Sequence, residues 1–287
     1  MFLPRLALLL TCAALYAIPV QSSAQATTTR EYHVLMVGNS LTYTNNLPAL
    51  LRAVGVSQGT PIITETYAAP GGILAERIKD GHVLAALERR KFDVVILQEQ
   101  AGKLAACMAM ALDQRTAPCA ASVRAYTQVA QLASKQGTRT LIFATWGPDE
   151  RWQGRLQRST RMIAEKSSAT VFNAAGVLLS LKKANPDANI FPDGTHPSTQ
   201  ASLMLAVALY REITGVTPVA RDLRIAAPLL PINAAVSADS PMETQPGLIA
   251  NGKFTVVPAS LIEPLIQALP TNKDSDSAEV DPSRRRR

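Results

Sequence analysis

From Tyr32 onward, short apolar runs rich in β-branched residues alternate with longer segments whose apolar positions recur at helical spacing. The runs His33–Val37, Ile62–Thr66, Val94–Leu97, Thr140–Ala144 and Thr170–Phe172 read as strands. They are almost continuously apolar, the pattern of strands covered on both faces. Between them the spacing predicts helices over Leu47–Val54, Leu74–Arg90, Ser122–Lys135, Arg155–Ser167 and Ala174–Ala184, and a further one over Ser198–Thr214. Gly137, Pro186 and Gly215 stand where helices should stop. Strict strand–helix alternation builds a parallel sheet through right-handed crossovers, so the expected fold is α/β, a three-layer α/β/α sandwich with about five parallel strands. Beyond Pro218 the pattern weakens into Pro- and Ala-rich stretches, with a strand predicted at Phe254–Val257 and a helix at Ala259–Ala268.

Composition bounds this picture. The 287 residues are 47% hydrophobic and 18% charged, enough for one full core around a central sheet. Arg5, the short apolar run Leu6–Ile18 and the small residues Ser22-Ser23-Ala24 read as a signal peptide over 1–24. That run is shorter than the roughly 20 apolar residues of a spanning helix, so cleavage is expected rather than a retained membrane anchor. The expectation is therefore a secreted or periplasmic protein with no membrane span. Cys12 leaves with the signal, and the remaining pair, Cys107 and Cys119, is expected to form a disulfide, two free thiols being the alternative. The organisation expected is a domain over 30–216, an extension over 217–270 packed on it, and a disordered tail over 271–287. The net charge of +7 owes much to Arg284–Arg287, which follow the acidic stretch Asp274–Asp281. No basic motif interleaved with aromatics accompanies it, so no nucleic-acid partner is expected.

In open parallel sheets reactive groups gather beyond the carboxyl ends of the strands, and four such places carry candidates. Gly38-Asn39-Ser40-Leu41-Thr42 follows the first strand; Ser40 could be a nucleophile there, or merely cap the following helix. Pro70-Gly71-Gly72 follows the second and offers backbone N–H groups to an anion, or merely a turn. Gln98-Glu99-Gln100 ends the wholly apolar third strand, where ordinary loop polarity would also explain it. Asp193-Gly194-Thr195-His196-Pro197-Ser198 precedes the last strong helix. His196 suits a general base and Asp193 its partner, while Asp193 or Ser198 would also serve as an N-cap and Pro197 as an early helical residue. The other two of the three histidines, His33 and His82, fall in a strand and a helix and read as structural or surface residues. No Cys/His cluster suggests a metal, and no cofactor is expected.

Taken together, these four places resemble the SGNH hydrolase (GDSL-like esterase/lipase) family over roughly 32–215. Gly38-Asn39-Ser40-Leu41 is similar to the family's first block, with Asn39 where Asp is commoner, the Gly71-Gly72 turn to its second, and Asp193-Gly194-Thr195-His196-Pro197 to its DxxHP block. The GxND block is missing; Leu97-Gln98-Glu99-Gln100 stands in its place, which resembles a divergent branch, as does Thr145-Trp146-Gly147-Pro148 after the fourth strand as a wall of the pocket. The resemblance implies a flavodoxin-like fold and a serine esterase with Ser40, Asp193 and His196 as catalytic residues. Its oxyanion hole would use the N–H groups of Ser40 and Gly71 or Gly72 and the side chain of Gln100, with Gln98 the alternative donor. It further implies a small-molecule or carbohydrate ester as substrate, short acetyl groups first. A lipase or thioesterase, an acyltransferase using the same residues, and a non-catalytic glycan-binding protein on the same fold remain open at this point.

Overall fold

The computed structural model describes residues 30–107 and 116–271. The signal peptide expected over 1–24 and all of the expected tail beyond Thr271 lie outside them.

Five strands form one parallel sheet in the order β2-β1-β3-β4-β5: β1 (Tyr32–Gly38), β2 (Ile62–Ala68), β3 (Val94–Leu97), β4 (Arg139–Ala144) and β5 (Thr170–Asn173). All five coincide with the predicted runs to within two residues at either end. Because side chains alternate across a strand, the sheet divides the core in two. Val34, Met36, Val94, Ile96, Leu141 and Phe143 face α2 (Leu47–Ser57), α8 (Ala174–Ala184) and α9 (Thr199–Thr214). Leu35, Val37, Val95, Leu97 and Ile142 face α3 (Leu74–Lys79), α4 (His82–Arg89), α5 (Ala101–Ala106), α6 (Ala117–Lys135) and α7 (Glu150–Ser167). The result is the expected three-layer sandwich. Helix α9 is apolar nearly all round and buried from Ala201 to Tyr210, as a helix enclosed on every side must be.

Local differences from the expected elements have identifiable causes. The single helix expected over Leu74–Arg90 is two, broken at Asp80-Gly81, where Gly81 takes φ 84°. Helices α6 and α7 begin five residues earlier than expected; Pro118 opens the first, and Asp149 caps the second by accepting from the Trp152 N–H at 2.8 Å. The short α1 (Ser40–Tyr43) and α5, and β6 (Leu223–Ile225), offer too few residues for a period to register. Strand β5 is exposed at Thr170 and Val171, contrary to the pattern of a strand covered on both faces, because it is the sheet's open edge.

The opposite edge, β2, is closed by the chain beyond 217. Glu243 accepts from the Thr66 N–H (2.9 Å) and from the hydroxyls of Thr64 (2.6 Å) and Thr66 (2.8 Å), and pairs with Arg52. A carboxylate thus occupies a strand N–H group that would otherwise template further pairing. β6 pairs antiparallel with β7 (Thr255–Val257), and α10 (Ala259–Gln267) packs its Ile262 and Leu265 into the larger core. Cys107 and Cys119 are joined, with their Cα atoms 5.0 Å apart, tying the end of α5 to the start of α6. Among the described residues no helix is long and apolar enough to cross a membrane.

Candidate active site

The strand order places β2 and β3 on opposite sides of β1, so the chain reverses direction across the sheet between β1 and β3. The crevice at such a switch point, beyond the carboxyl ends of the strands, is where open α/β sheets hold ligands. Asn39-Ser40 comes directly after β1, and Gln98-Glu99-Gln100 directly after β3.

Gly38 ends β1 because nothing larger fits: a Cβ there would lie 2.2 Å from Thr42 Oγ1 and 2.6 Å from Gln98 Oε1. The chain then turns at once into α1. Asn39 is its N-cap, Oδ1 accepting from the Leu41 N–H at 3.1 Å. Its Nδ2 donates to the Gly72 carbonyl at 3.1 Å, joining this turn to the one after β2. An aspartate could cap but could not donate, which gives a physical reason for Asn at this position. Ser40 is the first residue of α1, so its backbone N–H has no partner within the helix.

The turn Asp193–Pro197 lies just before α9. Asp193 Oδ1 accepts from the N–H groups of Thr195 (3.0 Å) and His196 (2.7 Å), while Oδ2 meets His196 Nδ1 at 2.7 Å. Those bonds, led by the His196 backbone N–H, hold the Asp193 carboxyl down at about 2, so it is ionised even in moderate acid. A carboxylate can only accept, so Nδ1 carries the proton and Nε2 presents its lone pair. Nε2 lies 2.9 Å from Ser40 Oγ, across 156 residues of sequence. Of the capping alternatives, Ser198 is the N-cap of α9, accepting from the Ala201 N–H; Asp193 serves the histidine, and Pro197 lies outside the helix.

The turn is pinned on both sides of His196. Trp146, two residues beyond β4, donates its Nε1–H to the Thr195 carbonyl at 2.8 Å, its ring packed against Phe191 and Phe143. Asn45 Nδ2 donates to the Pro197 carbonyl, also at 2.8 Å. Asn45 was not legible as a site residue; its left-handed φ of 56° leaves no mark in a hydrophobic pattern.

The expected anion-binding donors separate into distinct roles. Gly72 is a correction: its N–H donates to Ala69 O at 3.1 Å and closes the turn, leaving Gly71, exposed at φ 62°, as the free N–H of the pair among the described residues. Gln98 is a second correction. Its Oε1 accepts from the Asn39 N–H (2.8 Å) and the Thr42 hydroxyl (2.9 Å), and Nε2 donates to Glu99 O (2.7 Å), so this fully buried amide fixes the Asn39-Ser40 turn and has no donor left for an anion. Gln100 is the N-cap residue of α5, half-buried, with a side-chain amide that takes no partner among the described residues. Glu99, read from sequence as ordinary loop polarity, is wholly buried. Oε1 accepts from the N–H groups of Leu74 (3.1 Å) and Gln100 (2.8 Å), and Oε2 from the Ser122 hydroxyl (2.8 Å). Burial raises its carboxyl above the ordinary range, partly countered by those three donors.

Residues 228–232 strap the segment that follows Ser40: Tyr43 donates its hydroxyl to Ile232 O, Asn45 its N–H to Leu230 O, and Asn46 its side chain to Pro228 O. Tyr43 and Leu230 share a small cluster with Ala68, Val236, Met242 and Leu248.

No protein-family model and no curated protein matches the sequence. Solved structures similar to this chain include an acetylxylan esterase, Axe2, from Geobacillus stearothermophilus, at 14% identity over 64% of this chain and 94% of that one, with TM-score 0.49. A psychrotrophic esterase, EstA, from Pseudoalteromonas sp. is 15% identical over 64% and 97%, with TM-score 0.49. TesA is 18% identical over 64% and 98%, with TM-score 0.48. At such identities and scores, the chemistry has to be read from this chain's own residues.

Proposed function

We propose that this chain is a serine-dependent carboxylic ester hydrolase of the SGNH type, exported, and acting on short-acyl esters of carbohydrates. One observation carries the reading: Ser40 Oγ, His196 and Asp193 form a continuous relay, 2.9 Å and 2.7 Å long, at the switch point of the sheet.

The reaction follows from the proton positions. His196 Nε2 takes the Ser40 hydroxyl proton as Oγ bonds to the ester carbonyl carbon, and Asp193 stabilises the imidazolium formed. The Ser40 and Gly71 N–H groups and the Gln100 amide are the donors for the oxyanion, each loss costing on the order of 10²–10³ in rate. The tetrahedral species collapses by breaking the carbon–oxygen bond to the alcohol, which leaves with the proton from His196. A water then gives its proton to Nε2 and attacks the acyl-Ser40 carbonyl; the acid departs and Ser40 regains its proton.

The short-acyl carbohydrate part rests on the resemblance of the sequence blocks, and on the open rim formed by Gly71, Asp193, Gly194 and Thr195, all exposed, which suits a bulky alcohol portion. Export rests on the amino-terminal pattern and suits the joined cysteines. The test is hydrolysis of p-nitrophenyl acetate, butyrate and octanoate by the wild type, Ser40→Ala and His196→Ala. Loss of acetate turnover in both variants, with acetate the best wild-type substrate, is expected. A wild type inactive across the series refutes the reading, and a preference for octanoate refutes its short-acyl part.

A further inference from the structure

We infer that Asn45 is a positioning residue that sets the Ser40–His196 separation by bracing the histidine turn against the nucleophile's own segment; this rests on the hydrolase reading above. Ser40 and His196 come from turns far apart in sequence, and the hydrogen bond between them is only as constant as the scaffold that carries each turn. Asn45 follows Ser40 by five residues, in the 3-10 turn Thr44–Asn46 that leads α1 into α2. Its side chain spans the gap. Nδ2 donates to Pro197 O (2.8 Å) and to Ser202 Oγ (3.0 Å), and Oδ1 accepts from the Thr199 hydroxyl (3.2 Å). One amide thereby grips the residue after His196 and the first turn of α9. Its backbone N–H donates to Leu230 O at 2.8 Å, so the 228–232 strap bears on the same residue.

Trp146, two residues beyond β4, pins the Thr195 carbonyl from two strands away from β1. Asn45 pins the turn from the segment that carries Ser40, so removing its amide deletes the side-chain bonds that tie the two turns directly. Asn45 holds φ 56°, a conformation open to Asn and Gly and costly for most other residues. Asn45→Gly therefore deletes the amide without straining the backbone. Its neighbour supplies a matched control: Asn46 also holds φ 56°, and its side chain makes two bonds, from Nδ2 to Pro228 O (2.9 Å) and from the Ala49 N–H to Oδ1 (3.3 Å), neither of them to the histidine turn.

The experiment measures steady-state kinetics on p-nitrophenyl acetate, together with the ¹⁵N ring resonances of the three histidines, for wild type, Asn45→Gly, Asn45→Asp and Asn46→Gly, all below their melting temperatures. Misplacement of a catalytic group by about 1 Å costs on the order of 10²-fold, so Asn45→Gly is expected to lower kcat about 10–100-fold with KM nearly unchanged. Asn45→Asp keeps the left-handed turn and the Thr199 bond but cannot donate to Pro197 O, and should fall with it. Asn46→Gly should lose stability while keeping kcat. The His196 Nε2 resonance should move in both Asn45 variants and stay put in Asn46→Gly. Equal kcat in Asn45→Gly and wild type, or equal losses in the Asn45→Gly and Asn46→Gly proteins, overturns the proposal. A wild type without esterase activity refutes the hydrolase reading separately; an Nε2 resonance unmoved by the Asn45 variants then refutes the brace on its own.

Discussion

Glu99 allows the sharpest separation of charge from hydrogen bonding. Replacing it with Ala strands the backbone N–H groups of Leu74 and Gln100. An orphaned buried donor costs about 1–3 kcal/mol, so the two together cost about 2–6 kcal/mol, less whatever is recovered by removing a desolvated carboxylate. Glu99→Gln keeps an oxygen for both N–H groups, and the Ser122 hydroxyl can reverse to accept from the new amide. The Gln variant should therefore match or exceed wild type near pH 8, with the Ala variant at least about 2 kcal/mol below the Gln variant, which for a domain of this size is a melting difference of roughly 4–8 °C or more. pH supplies an independent check. Burial raises the Glu99 carboxyl above its ordinary 4.5, so over the window just above that value the folded chain keeps a proton that the unfolded chain has released. Stability of the wild type falls through that window as pH rises, whereas the Gln variant has no such group. The advantage of Glu99→Gln should thus be absent near pH 4 and grow on the way to neutrality. Thermal melts followed by circular dichroism from pH 4 to pH 8 measure it. An Ala variant as stable as the Gln variant near pH 8, or a Gln–wild-type gap that widens on acidification, would refute it.

Other outcomes rest on the same geometry. Gln100→Ala should reduce kcat on the order of 10²-fold with its melting temperature unchanged, as loss of an oxyanion donor does, while Gln98→Ala should lower both, because it frees the Asn39 N–H and Thr42; steady-state kinetics beside melts separate them. Asn39→Asp should cost about 1–3 kcal/mol in a urea titration, since the Gly72 carbonyl loses its donor and faces a buried carboxylate. Asp193→Asn should preserve the fold and lower kcat by about 10²–10⁴, because the amide can donate to Nδ1 and favour the wrong tautomer; an activity within about threefold of wild type would refute its role.

How much of the fold and site was legible in the sequence depends on where each signal lives. The five strands were, because strands such as Val94–Leu97 are covered on both faces and so are apolar without interruption. Ser40, His196 and Asp193, which the structure joins by hydrogen bonds, were legible as a group because Ser40 and His196 each sit in a recognisable block. The helix break at Gly81 was missed, since one left-handed glycine leaves the apolar period on either side intact. Gln98 and Gln100 could not be ranked from sequence: their roles depend on which one meets Asn39 and Thr42, a contact between the ends of β1 and β3 that no local pattern records. Asn45 and Glu99 escaped for the same reason, since Pro197 and Leu74, the partners that define their roles, lie far off in sequence.

The measurement that bears most directly on the central claim is the intact mass and peptide map of the protein after reaction with a fluorophosphonate. One phosphonyl group per chain is expected, located on Ser40, absent in Ser40→Ala and formed far more slowly in His196→Ala. A wild type that takes no label, or a label on any other residue, would contradict Ser40 as the nucleophile and the ester hydrolase with it.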